Sequence, residues 1–108
     1  GNGTARREFM YAPDLADAVF RAATDIETCP ELINIGLGHD FTINEYYSEV
    51  ADVIDWQGKF TYDLTRPVGM EQKLCDTRRA TEWGWIAPTS LRFGIEETYK
   101  FYRERYGK

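Results

Sequence analysis

The residues best equipped for chemistry lie near the start of the chain, in Arg6-Arg7-Glu8-Phe9-Met10-Tyr11-Ala12-Pro13-Asp14-Leu15-Ala16-Asp17-Ala18. A guanidinium pair, a short apolar run and a helix start follow one another there. Arginine in a turn just before a strand is well placed to fork onto an anion, because its planar donors match phosphate oxygens. Further cations fall in or beside predicted loops: Arg66, Lys73 and Arg78. They belong to a chain with 13 Lys and Arg against 18 Asp and Glu, a net charge of −5. That balance argues against nonspecific binding to nucleic acid or anionic membranes, which needs a basic face. Local positive charge on an acidic protein suits a small anionic ligand. Scattered, solvated charges are the competing reading of the same residues.

Bond-making chemistry is harder to find. Gly36-Leu37-Gly38 after a predicted strand invites a dinucleotide-binding reading, but the fingerprint needs a third glycine at position 41, which is Phe41. A Tyr-x-x-x-Lys pair, in which lysine eases the tyrosine's proton exchange, is absent, since none of the 7 tyrosines has lysine four residues later. His39 is the sole histidine, with nothing spaced to orient it, and reads as a turn residue. Asp14 reads as a helix cap, and Glu96 with Glu97 as a solvated helix face. Ser48 and Ser90 sit in a helix and at a cap, without a partner base. Cys29 and Cys75 lack paired spacing, so neither a disulfide framework nor a zinc site is expected, and a reducing, cytoplasmic compartment fits. Trp83-Gly84-Trp85 reads as a core anchor between helices, with base stacking as the alternative. No catalytic set and no metal site is expected from these residues.

The elements that must position the cations follow from periodicity and turn chemistry. A short strand is expected at Glu8–Tyr11. Pro13-Asp14 starts a helix that runs to about Thr24, with Leu15, Ala18, Val19 and Ala22 as its apolar stripe. Glu31–Ile35 reads as a strand buried on both faces, as in a parallel sheet. Thr42 and Glu45 form a capping box, with Phe41 and Tyr46 spaced for a hydrophobic staple. That helix carries Ile43, Tyr46, Tyr47, Val50 and Ile54 on one side. Phe60, Tyr62 and Leu64 alternate as in a half-buried strand. Thr65–Gln72 is a loop, and Asp76-Thr77 opens a short helix ending at Trp83-Gly84-Trp85. Thr89 or Ser90 starts a terminal helix, in which Gly94 implies a close backbone approach. The expected order is β-α-β-α-β-α-α, an α/β fold.

At 108 residues, 43% hydrophobic and 15% aromatic, the chain is one domain's length and rich enough to bury a core. No apolar run approaches the roughly 18 residues that span a bilayer. The chain opens Gly-Asn-Gly-Thr, with its first methionine at Met10, and reads as a fragment.

Five blocks, in order, resemble the later part of the extended short-chain dehydrogenase/reductases that act on nucleotide sugars. They are Arg7-Glu8-Phe9 followed by Asp14-Leu15-Ala16-Asp17-Ala18; Leu32-Ile33-Asn34-Ile35-Gly36-x-Gly38; and Phe41-Thr42-Ile43-Asn44-Glu45. Then come Arg66-Pro67 through Lys73-Leu74-x-Asp76 with Trp83-Gly84-Trp85, and Ser90-Leu91-x-x-Gly94-Ile95. Within that family, Gly-Asn-Gly-Thr-x-x-Arg-Glu-Phe and Lys-Leu-x-Asp are most similar to the GDP-L-fucose synthases. The loop departs from theirs: Arg66-Pro67-Val68-Gly69-Met70-Glu71-Gln72-Lys73 stands where they carry Lys-Pro-Asp-Gly-Thr-Pro-Arg-Lys.

The resemblance implies the C-terminal, substrate-binding portion of such an enzyme, without its N-terminal Rossmann half. NADP(H) and the proton-transferring tyrosine and lysine would belong to that half, so no cofactor and no turnover are expected of this chain alone. By resemblance, Arg7, Arg66 and Lys73 contact the nucleotide diphosphate sugar and converge on its pyrophosphate. Partners implied are the missing half and other copies of the enzyme. A stand-alone binding or assembly module derived from the same family, or a piece of a UDP-sugar epimerase or dehydratase, is the alternative.

Overall fold

Thr42 and Glu45 organise one side of the molecule. In the computed structural model, which describes residues 1–107, the Thr42 hydroxyl accepts from the Glu45 N–H at 3.1 Å, and Glu45 Oε2 accepts from the Thr42 N–H at 2.6 Å. This reciprocal cap starts α2 (Ile43–Val53). Phe41 meets Tyr46 edge-on with ring centroids 5.5 Å apart, the staple that the spacing predicts. Just ahead of α2, β2 (Phe41–Thr42) pairs antiparallel with β1 (Arg6–Arg7), Arg6 opposite Thr42 and Arg7 opposite Phe41. A single parallel bridge adds Gln72 on the other side of Arg6.

The helix α1 (Ala12–Thr24) takes Pro13 in its first turn, where the missing N–H costs no hydrogen bond. Its packing face differs from the apolar stripe expected. Asp14 does not cap its own helix; it is 4% exposed and accepts from the Thr89 N–H at 3.1 Å and the Thr89 hydroxyl at 2.6 Å. Asp17 Oδ2 accepts from Trp85 Nε1 at 3.0 Å. Arg21 donates to the Gly84 and Trp83 carbonyls at 2.8 and 2.9 Å, its guanidinium 4.6 Å from the Trp83 ring centroid. Residues 14, 17, 18 and 21 share one helical face, so polar side chains hold the 83–89 segment to α1. Leu15 and Val19 stay open, Val19 at 60% exposure.

Ala18, Ala80 and Trp85 form the buried core, with Met10, Ile33, Ile35, Trp83 and Ala87 packed on it. Trp85 is therefore the anchor expected of the Trp-Gly-Trp segment. Gly84 ends α3 (Arg78–Trp83) at φ +96°, a left-handed turn that favours glycine. Ser90 caps α4 (Leu91–Tyr106) by accepting from the Phe93 N–H at 3.2 Å. Gly94 is the close approach: a Cβ there would stand 3.4 Å from Tyr11 Cβ. Arg92 ties α4 to α2, pairing with Glu49 at 3.4 Å and with Asp52, and to its own helix through Glu96 at 2.9 Å.

Three expected strands are not present. The chain pairs at Arg6–Arg7 rather than Glu8–Tyr11, because the Tyr46 hydroxyl takes the Phe9 N–H at 3.0 Å. Glu31–Ile35 forms no ladder; its polar links are side chains, Arg79 to the Leu32 carbonyl at 3.0 Å and Asn34 to the Asp76 carbonyl at 3.2 Å. Nor is it buried on both faces, since Ile33 and Ile35 point to the core while Leu32 is 70% exposed. Phe60, Tyr62 and Leu64 are exposed and irregular, Phe60 stacking with Trp56 at 4.8 Å. A strand needs a neighbour for its N–H and C=O groups, and the described residues offer none to these segments.

The result is a slab with extents of 50 × 36 × 17 Å. An apolar groove of about 670 Å³ runs between α2, α4 and Phe9–Tyr11. No described helix is long and apolar enough to cross a membrane.

Candidate functional site

The β1 ladder is where the cations gather. Arg6 is engaged by Asp40: its Nε donates to Asp40 Oδ1 at 2.7 Å and its Nη2 to the Asp40 carbonyl at 3.1 Å. Gln72 Nε2 donates to the other carboxylate oxygen at 2.5 Å. The Gln72 amide and the Arg6 guanidinium hold the Asp40 carboxyl below its ordinary range, although burial opposes the charge.

The Arg7 side chain and the Lys73 backbone meet at the Arg6 carbonyl. That oxygen accepts from Arg7 Nη1 at 2.6 Å and from the backbone N–H of Lys73 at 3.2 Å. Among the described residues, no ion pair engages either cation. Arg7 is held from behind by Tyr46, whose hydroxyl donates to the Arg7 carbonyl at 2.9 Å. Burial pushes the Tyr46 phenol above its usual value, so it stays a neutral donor. Arg66 is placed differently. It lies on the 65–72 loop with its side chain 80% exposed and pairs with Asp63 at 3.4 Å, and no hydrogen bond joins it to the ladder.

Glu8, between the cations and α1, does structural work. Its carboxylate accepts from the Gly38 N–H at 2.9 Å and from the Cys75 N–H at 3.3 Å. A Cβ on Gly36 would sit 2.9 Å from both Glu8 oxygens, so any larger residue there makes the flexible Glu8 carboxylate shift. The same clamp raises the Cys75 thiol through its bond to Glu8, with burial adding to it. This arrangement does not fit a dinucleotide. The Gly38 N–H that a pyrophosphate would need is taken by a carboxylate, and α2 opens on its own threonine cap.

His39 is exposed and edge-on to Phe41 at 5.4 Å, as a turn histidine. Among the described residues no group of three or more His, Cys, Asp or Glu side chains could hold a metal ion. The chemistry open to the ladder is charge-assisted binding of an anion by Arg7 and Lys73. Sequence reasoning missed Asp40, Gln72 and the role of Tyr46. Only the Arg6-Arg7 doublet hinted that one arginine would need an internal carboxylate.

Residues 1–36 match the NAD dependent epimerase/dehydratase family. The chain is 50% identical over 102 residues to a GDP-L-fucose synthase of Azorhizobium caulinodans, covering 94% of this chain and 33% of that protein. Its fold matches a GDP-6-OMe-4-keto-L-xylo-heptose reductase from C. jejuni with TM-score 0.89 at 28% identity, over 97% of this chain and 33% of the other. A GDP-mannoheptose C4 reductase from Campylobacter jejuni, solved with NADP bound, matches with TM-score 0.82 at 29% identity, over 95% and 33%. The chain thus spans about a third of the length of the relatives it matches. On those likenesses the chain resembles, in sequence and in fold, a piece of the extended short-chain dehydrogenase/reductases that include the GDP-sugar epimerases and reductases.

Proposed function

We propose that this chain is the substrate-side wall of a GDP-sugar epimerase/reductase of the GDP-L-fucose synthase type, and that Arg7 and Lys73 grip the nucleotide diphosphate. The observation that supports this is that the Arg7 guanidinium and the Lys73 backbone N–H meet at the Arg6 carbonyl, with neither side chain in an ion pair among the described residues, while Asp40 engages Arg6 instead. A diphosphate carries about two negative charges, which two charge-assisted donors match. Arg66 reaches the same diphosphate from its loop once ligand competes with Asp63, an exposed pair that contributes little by itself. Holding the nucleotide fixes where the sugar lies, which is binding used for orientation.

NADP(H) and the groups that move protons belong to a Rossmann half outside these residues, so the 108 residues alone turn nothing over. The open face of α1 and the exposed Leu32 suit burial against that half or against a second copy. The full protein is an oxidoreductase and isomerase of the cytoplasm, working as a homo-oligomer.

The test is NADPH consumption with GDP-4-keto-6-deoxymannose by the full-length gene product. Turnover with the GDP sugar, and none by the 108-residue chain, is the expected pair of results. Turnover only with a UDP sugar, or by the short chain itself, overturns the proposal.

A further inference from the structure

Asp40 keeps a charge where burial disfavours one. Its side chain is 6% exposed, yet each carboxylate oxygen has a donor, Arg6 Nε at 2.7 Å and Gln72 Nε2 at 2.5 Å. These donors come from two neighbouring extended segments. Between them the backbone supplies one parallel bridge, with the Arg6 N–H on the Glu71 carbonyl at 2.7 Å and the Lys73 N–H on the Arg6 carbonyl at 3.2 Å.

Successive side chains of an extended segment face opposite ways. Arg6 and Gln72 both turn to Asp40, so the next residue on each segment, Arg7 and Lys73, turns to the opposite face. A slip of one residue would send Lys73 to the Asp40 side and leave Arg7 alone. A single bridge is little backbone to fix that choice, and the segment carrying Gln72 is otherwise an exposed loop.

We infer that Asp40 is a positioning residue: by gripping Arg6 and Gln72 on one face of the ladder, it fixes the register that sets Arg7 and Lys73 side by side on the other. The inference rests on the proposal that these two cations bind the diphosphate. Asp40 itself touches no ligand. Its effect on binding passes through Lys73.

The experiment titrates GDP into the full-length gene product by calorimetry, with KM and kcat measured for the GDP sugar and KM for NADPH. Asp40→Asn keeps the shape but removes the charge and one acceptor. It is expected to weaken GDP binding and raise the sugar KM about 5-fold, with kcat and the NADPH KM unchanged. Because it acts through Lys73, the same change in a Lys73→Ala background is expected to cost about 2-fold or less. Gln72→Ala, at an exposed position, removes one leg of the grip and decides the matter if Asp40→Asn fails to fold. It is expected to weaken GDP about 3-fold.

Two failures are distinguishable. If Arg7→Ala and Lys73→Ala leave GDP binding unchanged, the diphosphate proposal falls and this inference with it. If those variants weaken binding but Asp40→Asn and Gln72→Ala do not, the positioning role alone is overturned. An Asp40→Asn penalty of equal size with and without Lys73, or one that lowers kcat and spares KM, overturns it likewise.

Discussion

The Tyr46 hydroxyl donates to the Arg7 carbonyl at 2.9 Å and accepts from the Phe9 N–H at 3.0 Å, so one phenol on α2 closes the backbone just past β1. This bond does for Arg7 what a third ladder partner would do, from a helix whose register the capping box has already fixed. Tyr46→Phe removes it and leaves a half-buried carbonyl and amide short of partners. The loss is expected to be about 1–2 kcal/mol, read as a lower urea midpoint at unchanged slope. An unaltered midpoint would show that the backbone there is held by other means.

Asp14 and Thr89 join the starts of α1 and α4 across the interior. Asp14→Ala leaves the Thr89 N–H and hydroxyl without their acceptor in a site that is 4% exposed. The expected cost is about 2–3 kcal/mol, measured by denaturant unfolding. Thr89→Val, which removes the hydroxyl and keeps the N–H, is expected to cost about half as much.

Gly36→Ala tests the Glu8 clamp. The added methyl group would lie 2.9 Å from both carboxylate oxygens, so the Glu8 carboxylate must shift and its bonds to Gly38 and Cys75 are expected to lengthen. With Glu8 shifted, the contact that raises the Cys75 thiol weakens, and the thiol is expected to become more reactive toward iodoacetamide at neutral pH. An unchanged alkylation rate would count against the clamp.

Acid should weaken the fold over a defined window. Asp76 is lowered from 3.8 to about 2, first by its side-chain bonds with Arg78 and then by the Arg78 N–H. Asp40, Glu45 and Asp63 shift the same way, led by Gln72, the Thr42 N–H and the Thr65 hydroxyl respectively. A folded-state value below the unfolded one means that the folded chain binds fewer protons in between. The stabilisation is therefore present above about pH 4 and lost as pH falls toward 2. Thermal melts from pH 6 to pH 2 are expected to show that decline, and Asp76→Asn to flatten its lower part. A melting temperature that holds steady to pH 2 would contradict it.

What could be read from the sequence was local. The capping box at Thr42, the proline start of α1, the serine cap of α4 and the close approach at Gly94 each depend on residues within a turn or on one missing side chain. Strands were misplaced because pairing depends on partners distant in the chain, and Glu31–Ile35 finds none among the described residues. The α1 face was misread for a related reason. Asp14, Asp17 and Arg21 have the periodicity of a packing face, but their acceptors and donors, Thr89, Trp85 and Gly84, lie more than sixty residues away. At the site, Arg7 and Lys73 stood out by charge. Asp40 did not, since nothing in a lone aspartate after Gly38-His39 announces that it will be buried between two segments.

A crystal structure of the full-length gene product with GDP bound tests the central claim most directly. The diphosphate oxygens are expected within about 3.2 Å of both the Arg7 guanidinium and the Lys73 ammonium, with Asp40 still holding Arg6 and Gln72. A diphosphate seated elsewhere, with Arg7 and Lys73 both facing solvent, would contradict the account.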